Sequence, residues 1–276
     1  MNPLVSTDWL AAHLNDVKVV DASWYMPDDK REPAREFEAG HIPGAVFFDI
    51  DGIADHSSGL PHMMPSPEEF ARAVGALGLS NSDTIVVYDG SGIFSAPRAW
   101  WALRRMGHGK VVVLDGGLPK WKGEGRPVVS GKAAPRAARF QSRPEAALAR
   151  DYDAVLAHLK ADDAQIVDAR SASRFTGAEK EPRAGLKSGH MPGAVNLHWR
   201  ALLNHDNTLK DDEDLRRLFA EKGIDLRAPI VTTCGSGISA AILMLGMEKA
   251  GAADVALYDG SWAEWGGRDG APVITV

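Results

Sequence analysis

The sequence predicts an α/β fold: two tandem domains, each a mostly parallel sheet flanked by helices on both faces. Two observations carry this reading. The chain contains itself twice, and within each copy short apolar runs alternate with helical patterns. Gly40-His41-Ile42-Pro43-Gly44-Ala45-Val46 returns as Gly189-His190-Met191-Pro192-Gly193-Ala194-Val195. Residues 86–93 return as 231–238, and Leu114-Asp115-Gly116-Gly117 with Trp121 returns as Tyr258-Asp259-Gly260-Ser261 with Trp265. The offsets are 149, 145 and 144 residues, in one order. Two copies at that spacing mark duplicated domains, since solenoid repeats run about 20–50 residues. Strands alternating with helices mark a sheet covered on both sides.

In chain order, residues 17–22 form a short apolar run ending near Asp21, which predicts a strand. A helix follows over 67–77, then a β-branched run at 84–88 suited to a central strand, a helix over 96–106 and a strand at 111–115. Residues 131–150 are rich in Ala, Pro and Arg and lack periodicity, so they read as a linker between a domain over 1–130 and one over 151–276. The second copy repeats the order. A helical start at 152–160 precedes strands at 165–170, 229–233 and 255–259, with helices over 212–222 and 239–250.

At 276 residues the chain is long enough for two ordinary domains. Its 45% hydrophobic and 25% charged residues are those of a globular protein. A net charge of −6 argues against a large nucleic-acid surface. No apolar run approaches the roughly 18 residues of a membrane span. The start of the chain lacks the basic and apolar stretches of a signal peptide, and its one cysteine cannot form an internal disulfide. A reducing cytoplasm is the expected setting. Nine histidines form no close-spaced set and there is no cysteine pair, so neither metal nor organic cofactor is expected.

The single cysteine, Cys234, stands at a predicted strand end, followed by Gly235-Ser236-Gly237-Ile238-Ser239 and then a helix. Ligands gather at the carboxyl ends of parallel strands. Small residues in such a loop let successive backbone N–H groups converge on one point, an anion cradle that favours thiolate and would hold a persulfide. Most free cysteines are merely small buried hydrophobes. The strand-end position before a glycine-rich turn outweighs that reading here. The first copy keeps Gly90-Ser91-Gly92-Ile93 but has Asp89 in place of the cysteine, so catalysis should belong to the second domain alone. A cysteine phosphatase would need an arginine six residues after its nucleophile, where this chain has Ala240.

At this loop the sequence resembles the rhodanese superfamily in its tandem form. Residues 234–239 resemble the 3-mercaptopyruvate sulfurtransferase branch, usually Cys-Gly-Ser/Thr-Gly-Val-Thr. The thiosulfate-preferring branch carries an Arg-Lys pair just after its cysteine, where Gly235 and Ser236 stand. Leu60-Pro61-His62-Met63-Met64-Pro65 also looks like the mercaptopyruvate branch, with no chemical role assigned. Ile238 and Ser239 depart from the common Val and Thr conservatively, and Phe94 replaces a phenol found in some relatives.

The resemblance implies a sulfurtransferase that carries sulfur on Cys234, taking it from 3-mercaptopyruvate and giving it to a small thiol, a thioredoxin-like protein or cyanide. It implies that Arg174 and Arg183 bind the substrate carboxylate and keto group, where planar guanidinium forks fit well. Gly235, Ser236, Gly237, Ile238 and Ser239 would hold the persulfide. A proton-handling Ser-His-Asp group would use Ser236 and His41, with Asp29 or Asp28 as partner; spacing does not choose between the two. His41 and His190 share their Gly-His-Ile/Met-Pro context, so a purely structural role bracing each turn is the competing reading. Three alternatives remain at this stage: a thiosulfate:cyanide sulfurtransferase, a rhodanese-fold binding or sulfur-relay module, and a catalytically silent structural domain.

Overall fold

The computed structural model describes residues 2–276. These divide into two compact units: residues 2–55, 64–145 and 203–209 in the first, and 56–63, 146–202 and 210–276 in the second. Each unit therefore includes a short segment from the other half of the chain.

The first unit runs β1 (Leu4–Val5), α1 (Thr7–His13), β2 (Lys18–Asp21), α2 (Pro33–Ala39), β3 (Val46–Phe47), α3 (Pro67–Ala76), β4 (Ile85–Tyr88), α4 (Ala96–Arg105), β5 (Val111–Leu114) and α5 (Gly117–Gly123). The second repeats it with β6 (Ala149–Arg150), α6 (Tyr152–Ala161), β7 (Gln165–Asp168), α7 (Ala172–Thr176), β8 (Val195–Asn196), α8 (Asp212–Glu221), β9 (Ile230–Thr233), α9 (Ala240–Ala250), β10 (Val255–Tyr258) and α10 (Ser261–Trp265). The sheets are β1-β5-β4-β2-β3 and β6-β10-β9-β7-β8, every pair parallel. The α/β fold predicted from the alternating pattern is thus present in both halves. Missing from the sequence reading were the two-residue edge strands β1, β3, β6 and β8, too short for any periodicity. Ala149–Arg150, at the end of the stretch read as linker, pairs with β10.

The central strands are apolar on both faces because helices cover both. All four residues of β4, β5, β9 and β10 are buried. Helix α9 is apolar all round, and Ala240 through Met247 are buried without a break. Equivalent tryptophans anchor the turns that follow β5 and β10. The Nε1–H of Trp121 donates to Pro127 O at 2.8 Å, and that of Trp265 donates to Pro272 O at 2.9 Å. Buried indoles need such partners. Among the described residues, no helix is long and apolar enough to cross a membrane.

Candidate active site

Strand β9 delivers Cys234 to its carboxyl end, where the side chain is 2% exposed. The loop then folds back over the sulfur, and the Gly237 N–H points at Sγ from 3.1 Å. Gly237 has φ +82, a left-handed conformation that favours glycine and makes this fold-back cheap. The turn after β10 holds the cysteine from the other side. The Cys234 N–H donates to Ser261 Oγ at 3.2 Å, and the Trp262 N–H donates to Cys234 O at 2.9 Å. The Ala263 N–H donates to Gly235 O at 2.9 Å.

The first unit shows what this loop geometry binds. Asp89 stands at the cysteine position, 1% exposed, and its carboxylate accepts four backbone N–H groups. Ser91 donates to Oδ1 at 2.8 Å; Phe94, Ser95 and Ala96 donate to Oδ2 at 2.8, 2.9 and 2.8 Å. The loop is an anion cradle, and in this copy it holds an anion. The matching positions in the second copy are Ser236, Ser239, Ala240 and Ala241. Beside Asp89 the first unit has closed its site. A Cβ on Gly90 would lie 2.2 Å from Tyr25 Oη, and Tyr25 donates to Glu36, which is paired with Arg31. The cavity that remains there is about 110 Å³.

In the second unit the side chain against the loop glycine is an arginine. A Cβ on Gly235 would lie only 3.1 Å from Arg174 Nη2, so the guanidinium rests directly against the cysteine loop. Helix α7, capped by Ser171, carries Arg174. Glu181 fixes the side chain, accepting from Arg174 Nε at 3.2 Å and Nη2 at 2.5 Å. Glu181 also accepts from Arg170 Nη1 at 2.7 Å. Arg170 is 2% exposed, pairs with Asp168 at 2.6 Å, donates to Gly189 O at 2.8 Å and lies over the Trp262 ring. Burial works against its charge, but Asp168 and Glu181 hold its pKa above the ordinary arginine value. The chain Asp168–Arg170–Glu181–Arg174 is thus a braced arm that ends at Gly235. Nothing in the sequence singles out Glu181; its burial and its two arginine partners are tertiary facts. Arg183 is half-buried in the segment that follows.

His41 belongs to the first unit and is engaged there. Its Nδ1 donates to Phe37 O at 2.7 Å, and its ring stacks on Phe37 with centroids 4.0 Å apart. His190 does the same in the second unit, with Nδ1 to Phe175 O at 2.8 Å and a stack at 3.8 Å. Asp28 and Asp29 are exposed, and Asp29 accepts from the Met26 N–H. Among the described residues, no hydrogen bond joins His41 to either aspartate. Another histidine, His62, lies in the segment 56–63 that belongs to the second unit; it is 8% exposed and has φ +62.

A rhodanese-like domain model matches residues 6–124 and again 151–268. The chain belongs to the rhodanese-like family of sulfurtransferases. It is 44% identical to 3-mercaptopyruvate sulfurtransferase of Rattus norvegicus over 95% of this chain and 91% of the relative. It is 43% identical to thiosulfate/3-mercaptopyruvate sulfurtransferase 1 of Arabidopsis thaliana, over 99% of this chain and 78% of that protein. The crystal structure of SseA from Escherichia coli, described with the "rhodanese" fold of the 3-mercaptopyruvate enzymes, superposes with a TM-score of 0.88 at 39% identity. That match covers 95% of this chain and 99% of the other. In this tandem rhodanese, one copy carries the cysteine and the other an aspartate.

Proposed function

We propose that this sulfurtransferase moves sulfur from 3-mercaptopyruvate to a thiol acceptor through a persulfide on Cys234. The observation that carries the proposal is the pair of matching loops: one ties an aspartate carboxylate with four backbone N–H groups, and its twin holds Cys234 with the Gly237 N–H on its sulfur. Arg174, braced by Glu181 against Gly235, would take the substrate carboxylate with Arg183. The Cys234 thiolate would attack the substrate sulfur, forming an S–S bond while the C–S bond breaks. The electron pair would leave on pyruvate as its enolate, which takes up a proton. Backbone N–H groups from Gly235 to Ser239 would hold the persulfide. The acceptor thiolate would then attack the outer sulfur and return Cys234 as thiolate.

For the proton we favour Ser236 with His62 over Ser236 with His41. His41 makes the same contacts as His190, which supports bracing of each Pro-Gly turn. His62 stands 145 residues before Asn207, the same offset that relates Asp89 to Cys234. Both residues hold left-handed backbone, φ +62 and φ +61, where ordinary residues are strained. In the first unit Asn207 packs on the aspartate loop, with its Cβ 2.5 Å from where a Cβ on Gly92 would stand. The repeat relationship therefore supports a matching place for His62 at the cysteine loop.

The test is intact-mass measurement of the reduced protein after incubation with 3-mercaptopyruvate or thiosulfate. A gain of one sulfur, absent in Cys234→Ser, supports the persulfide route, and the faster donor decides between the two substrates. No gain from either would defeat the proposal and favour a binding or relay module.

A further inference from the structure

The turn after β10 contains an asymmetry between the two copies that the reaction as outlined does not use. Ser261 has φ +49, and its counterpart in the first unit, Gly117, has φ +52. The backbone is the same, so the turn itself asks for glycine. In the first unit there is also no room for anything else, because a Cβ on Gly117 would lie 2.6 Å from both Asp89 O and Gly92 O. The second copy places a side chain at this strained position. Its hydroxyl accepts the Cys234 N–H at 3.2 Å and donates to Tyr258 O at 2.9 Å.

That hydroxyl stands where the sheet has run out. The β9–β10 pairing ends at Thr232 and Leu257, and Ser261 Oγ joins Cys234, the residue after β9, to Tyr258, the last of β10. One further bond of the turn is shared by both copies: Trp262 N–H to Cys234 O at 2.9 Å matches Leu118 N–H to Asp89 O at 3.0 Å. Another is not, since Ala263 N–H donates to Gly235 O and its counterpart, Pro119, has no N–H. The copy with the nucleophile thus holds its loop by two bonds that the copy without it forms the same turn without.

We infer that Ser261 is a positioning residue for Cys234: its strained backbone is retained so that the hydroxyl can fix the cysteine backbone and aim Sγ at the Gly237 N–H. The inference rests on the proposed role of Cys234. A residue kept for the fold alone would lower stability when removed, whereas a positioning residue in a glycine-demanding turn leaves stability near the parent's and slows loading.

The experiment is Ser261→Gly in the full chain, with sulfur loading from 3-mercaptopyruvate, urea unfolding, and iodoacetamide alkylation of Cys234 across pH. The expected result is a urea midpoint close to that of the parent protein, relief of the left-handed serine offsetting the lost hydroxyl bonds, with loading slowed about tenfold or more in kcat. The alkylation profile shifts, and KM for the donor changes little. Loading and alkylation at parental rates would overturn the inference. So would a fall in urea midpoint that accounts for the lost activity. If the parent protein takes no sulfur from the donor, the proposed function fails, while the alkylation comparison still decides whether Ser261 positions the cysteine.

Discussion

Asp89 stands in the first copy where Cys234 stands in the second, each at the carboxyl end of a buried central strand. Four N–H groups converge on this buried carboxylate at 2.8–2.9 Å. Removing it orphans buried donors, each costing about 1–3 kcal/mol. Asp89→Ala should therefore destabilise the protein by roughly 3 kcal/mol or more, and Asp89→Asn by less. Urea unfolding measures both, and an Asp89→Ala midpoint equal to the parent's would refute the cradle.

Glu181 accepts from two arginines while its side chain is 2% exposed. Glu181→Gln should weaken both contacts and release Arg174 from Gly235. Breaking a buried ionic cluster costs about 3–5 kcal/mol when one partner is removed; the isosteric change should reach the lower part of that range. Donor KM should rise about tenfold, because the arm no longer presents Arg174. Steady-state kinetics at saturating acceptor would show it, and an unchanged KM would separate Arg174 from substrate binding.

The two histidines should respond in opposite ways. His62→Asn should cut turnover by about 10²-fold or more, the usual scale for a lost acid–base group. His41→Asn should lower the unfolding free energy by about 1–2 kcal/mol, through the lost stack and Phe37 contact, and leave turnover of the folded protein intact. The reverse pattern would restore His41 to the proton path.

Asp21 offers a pH test that does not involve the proposed reaction. Burial raises its carboxyl pKa most, Asp89 adds to the rise, and hydrogen bonds from Ser23 oppose it. A carboxyl with a raised folded pKa contributes stability that is full below its unfolded pKa and lost as pH rises through the folded one. Stability of the parent protein should therefore decline along that interval, and Asp21→Asn should flatten the decline. Urea midpoints from about pH 4 to 8 compare the two, and parallel curves would exclude Asp21 as the cause.

Much of this was legible before any coordinates. The β-branched runs gave the central strands because sheets buried on both faces tolerate little else, and the repeat exposed Asp89 as the stand-in for Cys234. His62 was harder to read. Its hexapeptide stands out in the sequence, but its twin, Asn207, is a different residue type, and a match by identity passes over it. That residues 56–63 join the second unit is a matter of chain route, which composition does not encode. Glu181 looked like one charge among several until its burial was known. Ser261 was visible within the repeated Asp-Gly-Gly/Ser motif, but a serine in place of glycine signifies something only once φ is known to be positive.

The four edge strands are two residues long, and this bears on how a duplicated chain avoids aggregation. Two copies of one sheet on the same polypeptide are prone to exchange strands as they form. A free edge is the template for that error, and natural sheets blunt it by shortening the edge. Here β1 and β3 close one sheet and β6 and β8 the other, each too brief to offer a foreign strand more than a pair of residues. The longer and stickier strands lie inside, already paired on both sides. Such a border keeps gene duplication from becoming a source of entangled chains, and leaves each copy at liberty to change its chemistry alone.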